Sequence, residues 1–266
     1  MDKEWNEKYS QQDLQRLRGL RLMDDDFMSK CFENNIECAE LVLHIVLGRD
    51  DLKVEKVETQ HLIKNLQGRS IILDIYATDH VGKQYNIEIQ RADRGAGAKR
   101  ARYHSSLIDV NVTEPGDKLE NLAETYVIFI TERDVMGDGL PIYHINRVVE
   151  ETGKKFQDEA HIIYVNGAYR AQSPLGILMH DFSCTDPNDI TYEVLAERVR
   201  YFKEDAEGVA VMCKAMEDMR NEAVMDERKD VACRLLKMGG MALDKIAEIS
   251  KLSIEEVRML ASQKNA

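Results

Sequence analysis

The sequence predicts an α/β (α+β) chain, with a mixed central sheet flanked by helices over residues 1–180 and an all-helical extension over 190–266. Three observations carry that expectation. Runs such as "SIILDIYA", "TYVIFIT" and "AHIIYV" are short, dense in β-branched residues and bounded by turn formers, as buried strands are. Stretches of helical period stand before and between them. Beyond the polar turn formers "DFSCTDPND", residues 181–189, the chain reads as charged helix.

Taken in order, residues 11–48 read as helical. The Asp residues of "DDDFMSKCF" suit a helix N-terminus, and "IECAELVLHIVLG" sets Ile36, Leu43 and Leu47 on one face before stopping at Gly48. From Lys53 the period changes, because "LKVEKVETQHLIK" alternates apolar and polar residues as a half-buried strand does. "SIILDIYA", the turn "DHVGKQ" and "YNIEIQ" predict a hairpin over 71–90. "GAGAKRARYHSSLIDVNV" follows as a helix entered through a glycine loop, with two more buried strands after it.

At 266 residues the chain fits one large domain, or one domain with a smaller appendage. No apolar run approaches the ~18 residues of a bilayer span, and the polar start "MDKEWNEKYSQQDLQ" is unlike a secretory signal. The five scattered cysteines show no C-x-x-C spacing, which suits buried thiols in a reducing compartment better than disulfides or a zinc site. A cytoplasmic protein is therefore expected. The net charge of −12 argues against nonspecific coating of nucleic acid, yet a local basic patch acts over ~8–10 Å whatever the total.

Two acids stand where ionised side chains are costly. Asp74 follows "IIL" and Glu88 sits inside "NIEIQ". A hairpin turning near Val81–Gly82 makes them a facing pair at one end of the sheet. Such acids often only face solvent or pair with Arg or Lys. Two carboxylates held close in a partly dry site repel each other, however, and a divalent cation such as Mg²⁺ relieves that repulsion. Gln60, in "VETQH", is expected at the same sheet end.

The pattern D-(x13)-E-x-Q across a hairpin resembles the PD-(D/E)XK nuclease signature, with Gln90 where most members carry lysine. Residues from about 20 to 170 resemble, within that superfamily, the family of recombination-promoting nucleases and transposases. The matching pieces are "DDDFMSKCF", "VEKVETQ", "SIILDIYATDHVGKQYNIEIQ", "RARYHSSL" and "NLAETYVIFI", in that order. The resemblance implies a restriction-endonuclease-like fold, with Asp74 and Glu88 as ligands of Mg²⁺ (Mn²⁺ as a substitute) and the Ile89 carbonyl as a third. Gln90 would then orient the attacking water, although a neutral amide supplies no positive charge. A further acid from the helix before the first strand is implied, for which Glu40, toward the apolar face, is preferred over Glu37.

The stretch "RADRGAGAKRARYH" is the most basic in the chain and begins one residue after Gln90. Its Arg91, Arg94, Lys99, Arg100 and Arg102 suit a phosphodiester backbone, and Tyr103 can stack or hydrogen-bond. A solvated helix face paired with nearby acids is the plainer reading of these residues alone, but beside Asp74 and Glu88 contact with DNA is expected.

"ALDKIAEISKLSIEEVRMLA" has the outline of a helix-turn-helix, but Lys251 replaces the usual turn glycine and Glu255 and Glu256 oppose phosphate. Ser253 and Glu256 make a capping box instead, which predicts a packing or protein-interaction unit. The seven histidines form no close ligand spacing, and no P-loop, G-x-S-x-G or dinucleotide motif is present. The sequence thus predicts a Mg²⁺-dependent DNA endonuclease of recombination or mobile-element biology, with a homodimer through the C-terminal helices as an attractive arrangement. The alternative is a noncatalytic binding or regulatory protein with a decayed site.

Overall fold

Helices α1 (Gln11–Gly19), α2 (Asp25–Phe32) and α3 (Ile36–Leu47) precede the sheet in this computed structural model, which describes residues 8–66, 68–91 and 95–263. Strands β1 (Val54–Ile63), β2 (Ile71–Asp79) and β3 (Gln84–Gln90) are antiparallel neighbours. β4 (Thr125–Thr131) adds to β3 in parallel. β5 (Ile142–Ile145) is the far edge, antiparallel to β6 (Ala160–Asn166), which runs parallel to β4. The six-stranded order is β1-β2-β3-β4-β6-β5, a mixed sheet with helices around it, as expected.

The hairpin forms because Asp79 organises its turn. Asp79 Oδ1 accepts from the N–H groups of Val81 and Lys83 at 3.0 and 2.9 Å, and Gly82 takes the positive φ of +86° that the turn demands. α4 (Ala98–Val112) then returns across the sheet. Its Ala101, Leu107 and Ile108 pack with Tyr76, Val127, Phe129 and Tyr164 in one buried cluster. Burial of each large side chain there contributes about 1.5–3 kcal/mol. Helices α2 and α3 pack against β1.

α3 differs from its expected face. Cys38, Ala39, Val42, Leu43 and Val46 are buried, whereas Ile36 is 38 % exposed and Leu47 only half-buried. Ile36 is the first residue after the N-cap Asn35, whose side chain accepts from Cys38 N–H, so it lies in the end turn. Gly48 ends the helix at φ +63°, donating its N–H to the His44 carbonyl.

α5 (Pro174–Ser183) and α6 (Glu193–Glu204) complete one compact unit, Gln15–Asp205. The polar turn of 181–189 lies inside this unit, because Asp181 accepts from the N–H groups of Thr191 and Tyr192 and folds the chain back. Residues 8–14 and those from Ala206 onward form the second unit. There α7 (Ala206–Met238), α8 (Leu243–Ser250) and α9 (Ile254–Gln263) enclose Ala232, Ile246, Leu252 and Val257. Lys251 adopts φ +57° in the turn where glycine is usual, and Ser253 and Glu256 cap α9 reciprocally at 2.7 and 3.2 Å. No helix among the described residues is long and apolar enough to cross a membrane.

Candidate active site

The β2–β3 ladder runs from Thr78↔Gln84 to Ile75↔Ile87, and the next facing residues are Asp74 and Glu88. There side chains replace the ladder. Asp74 N–H donates to Glu88 Oε1 at 3.4 Å, and Ile89 N–H donates to Asp74 Oδ2 at 2.9 Å. The two carboxylates, 6 % and 0 % exposed, therefore sit where the strands part.

The opposite ladder lapses at the same level. β1 pairs Thr59 with Ile75 and then His61 with Leu73, passing over Gln60 and Asp74. Gln60 takes a φ of +51°, a left-handed conformation that costs a non-glycine residue about 1–3 kcal/mol and that surrounding contacts must sustain. Those contacts lead to α2. Gln60 Nε2 donates to Asp25 Oδ1 at 3.0 Å and to Ser29 Oγ at 2.8 Å. Asp25 thereby joins the group as its third acid, tied through Gln60 to the level of Asp74.

Negative charge exceeds what the neighbours neutralise. Burial first, then the charges of Glu88 and Asp25, push the Asp74 carboxyl up to about 8, against the Ile89 N–H and Arg100. Burial, then Asp26, also raises Asp25, while the bond from Gln60 opposes the rise. Glu88 is held from α4, where Arg100 Nη2 donates to its Oε2 at 2.9 Å. Arg100 Nε donates to His104 Nε2 at 3.2 Å, and His104 Nδ1 lies 3.4 Å from Glu88 Oε1 and 3.3 Å from Asn86 Nδ2. Asn86, buried beside His104, has no hydrogen-bond partner for its Oδ1.

A cleft of about 870 Å³ opens over these groups, lined by Asp25, Gln60 and Asp74 on one side and by Lys99, Arg100, Arg102 and Tyr103 on the other. The Tyr103 hydroxyl donates to the Arg69 carbonyl, which leaves its ring on the cleft wall. Asp25 also lines a neighbouring cleft with Arg16, Arg21 and Arg91. Arg91 pairs with Asp24 there at 2.9 Å. Arg94 lies outside the described residues. Arg16 on α1 and Arg21 just after it carried no signal in the sequence, because only tertiary packing brings them near. Asp25, the second acid of "DDDF", was visible as helix-start chemistry but not as a neighbour of Asp74.

Glu40 is not brought to this group. Its Oε2 accepts from Val54 N–H at 2.9 Å and its Oε1 pairs with Lys53 at 3.2 Å, at the opposite end of β1 from Gln60. Although burial works the other way, those partners hold its carboxyl below the usual range. The position faces the sheet as expected, but the strand start lies there and not the splayed end. Glu40→Ala is expected to lower stability by about 1–2 kcal/mol through the orphaned N–H, with catalytic turnover of the folded protein unchanged. Urea unfolding and a nicking assay on the same preparation check this.

Ile89 enters through its N–H. Gln90 occupies the end of β3, and its amide lies over Gly95, so closely that a Cβ there would overlap Oε1. Gly95→Ala is expected to displace the flexible amide, reducing cleavage about tenfold with less than ~1 kcal/mol lost in stability. Unchanged cleavage would remove Gln90 from the reacting group.

Residues 40–168 match the family model described as PD-(D/E)XK nuclease family transposase. This segment belongs to that family. No curated protein and no solved structure matches the chain significantly. The PD-(D/E)XK segment contains the whole sheet, Asp74, Glu88, Gln90 and α4, and its architecture is the restriction-endonuclease-like one. Asp25 lies before it.

Proteins of the PD-(D/E)XK family typically use divalent metal ions. Asp74 and Glu88 fit one, because they supply hard oxygen donors where the strands part, and burial, then the charges of Glu88 and Asp25, raises Asp74. The departure from the PD-(D/E)XK pattern is Gln90, which orients by hydrogen bonding alone.

Proposed function

We propose that this chain is a Mg²⁺-dependent DNA endonuclease serving recombination or mobile elements, with Mn²⁺ as a substitute cation. The observation that carries it is the splayed hairpin end, where Asp74 and Glu88 meet beneath a cleft walled by Lys99, Arg100 and Arg102. Asp74 and Glu88, with the Ile89 carbonyl, would hold the cation, and Asp25 adds negative charge beside them. When bound, such a cation lowers the pKa of water and stabilises charge on a phosphate oxygen.

The chain's own residues supply the remainder. Arg102, Lys99 and Arg100 take the phosphodiester along one side of the acids, while Arg16, Arg21 and Arg91 in the neighbouring cleft lie among Asp24, Asp25 and Asp26. Gln90 orients a water molecule through its amide, with Gly95 leaving it room. The Tyr103 ring offers a stacking face. Arg100 donates to Glu88 Oε2 and lines the same cleft, so it ties the buried acid to the cationic wall.

The test is nicking of supercoiled plasmid with Mg²⁺ or Mn²⁺, comparing wild type with Asp74→Ala and Glu88→Ala. Cleavage abolished in both variants and by chelator supports the reading. Equal cleavage in all three proteins assigns the activity elsewhere. A second reading, a noncatalytic DNA-binding protein, is favoured by one feature, the neutral Gln90. Salt-sensitive DNA binding without cleavage under either cation would select it.

A further inference from the structure

We propose that His180, Asp181 and Cys184 form a second cation site, one for a borderline-soft divalent ion, Zn²⁺ before Mg²⁺. The two side chains at the end of α5 and the Cys184 that caps it bring one imidazole nitrogen, one carboxylate oxygen and one sulfur within 4.8 Å of one another. His180 Nδ1 is 3.2 Å from Asp181 Oδ1, and Cys184 Sγ is 3.6 Å from the same nitrogen. Zinc bonds of roughly 2.0–2.3 Å at tetrahedral angles require N···O and N···S edges of about 3.3 and 3.5 Å. Two edges of the trio therefore have nearly the spacing of a zinc polyhedron before any ion is added, and the third lies within 4.8 Å.

The chemistry of each donor agrees. Asp181 is fully buried, and among the described residues its ion-pair partner is His180. The N–H groups of Thr191 and Tyr192 fix its carboxylate at 3.0 and 2.8 Å, as outer hydrogen bonds fix a ligating carboxylate, and lone pairs remain on the oxygens. The His180 side chain is 49 % exposed and Cys184 is partly exposed, so an ion has a path in and a fourth position open to water. Burial raises the Cys184 thiol, and the Asp181 and Asp189 charges add to the rise, against Arg170. A dication replacing the thiol proton relieves that excess of negative charge. Thiolate and imidazole select Zn²⁺ over Mg²⁺, which prefers an all-oxygen shell.

The position gives the site a consequence. The Phe182 carbonyl accepts from Met23 N–H at 3.1 Å, and Lys203 Nζ donates to the carbonyls of Thr185, Leu20 and Arg18. The segment so tied leads straight into Asp24 and Asp25. A cation on His180, Asp181 and Cys184 would clip the support from which Asp25 is presented, and this binding does not require nuclease activity.

The experiment uses the full chain, stripped with chelator and titrated with Co²⁺ as a spectroscopic probe, with Zn²⁺ as competitor. One equivalent of Co²⁺ is expected to produce a thiolate charge-transfer band that Zn²⁺ removes and Mg²⁺ does not. The band should be absent in Cys184→Ser and His180→Gln, with Zn²⁺ affinity falling by more than the roughly 10–100-fold that loss of an outer partner costs. It should persist in Cys233→Ser and in the Asp74→Asn/Glu88→Gln double variant. Circular dichroism matching wild type shows that the two ligand variants fold. Absence of the band in wild type overturns the proposal, as does its survival in either ligand variant or its loss in either control.

Discussion

Glu88→Gln is expected to lower plasmid nicking by about 10³-fold or more, because a cation-held transition state is worth several kcal/mol and each 1.36 kcal/mol is about tenfold. The substitution preserves shape. Glu88 is fully buried, accepting from Asp74 N–H through Oε1 and from Arg100 through Oε2, and glutamine keeps an acceptor for one of these contacts. What it removes is the charge that draws both Arg100 and a cation. Initial nicking rates at saturating Mg²⁺, beside thermal melts with and without Mg²⁺, separate loss of chemistry from loss of fold. The melting temperature should rise with Mg²⁺ in wild type and not in the variant. A Glu88→Gln protein cutting within tenfold of wild type would remove Glu88 from the reaction.

Asp74→Asn is expected to stabilise the metal-free protein, increasingly so as pH rises toward 8. Burial, with the charges of Glu88 and Asp25, pushes the native Asp74 carboxyl up to about 8, well above its unfolded value near 4. Between those two values the native state holds a proton that the unfolded chain has lost. Stability from this group is therefore fully present below about pH 4 and is lost as pH climbs through about 8, at up to ~1.4 kcal/mol per pH unit. Asparagine removes that slope. Melts from pH 5 to 8.5 in chelator should show the variant gaining on wild type by several degrees, since ~1 kcal/mol moves a domain of this size by about 2–4 °C. Mg²⁺ should stabilise wild type more at pH 8 than at pH 6, because the proton must leave before the carboxylate can bind it. A difference between the two proteins that does not change with pH would show that Asp74 titrates normally.

Both expectations concern residues legible in the sequence itself. The strand periods, the Asp79–Gly82 turn and the facing of Asp74 with Glu88 follow from local chemistry: alternation assigns faces, and a turn centred near Val81 sets the pairing. The cationic stretch after Gln90 was equally legible, since Lys99, Arg100 and Arg102 recur on one helix beside the acids. Glu40 shows the limit. Its inward face was readable from helical spacing, but which end of β1 it meets depends on how α3 crosses the sheet, and it meets Val54.

What the sequence by itself determined is most of the elements, though not β5 or α5, with the hairpin register and the facing of the two central acids, because each rests on interactions between residues close along the chain. Only the tertiary structure decided that Asp25 supplies the third acid, that Gln60 leaves the β region to hold it, and that Arg100 occupies Glu88. Those arrangements join segments far apart in sequence. Their geometry comes from the packing of α2 and α4 on the sheet, where the burial of many apolar side chains outweighs a strained φ and a crowded set of charges.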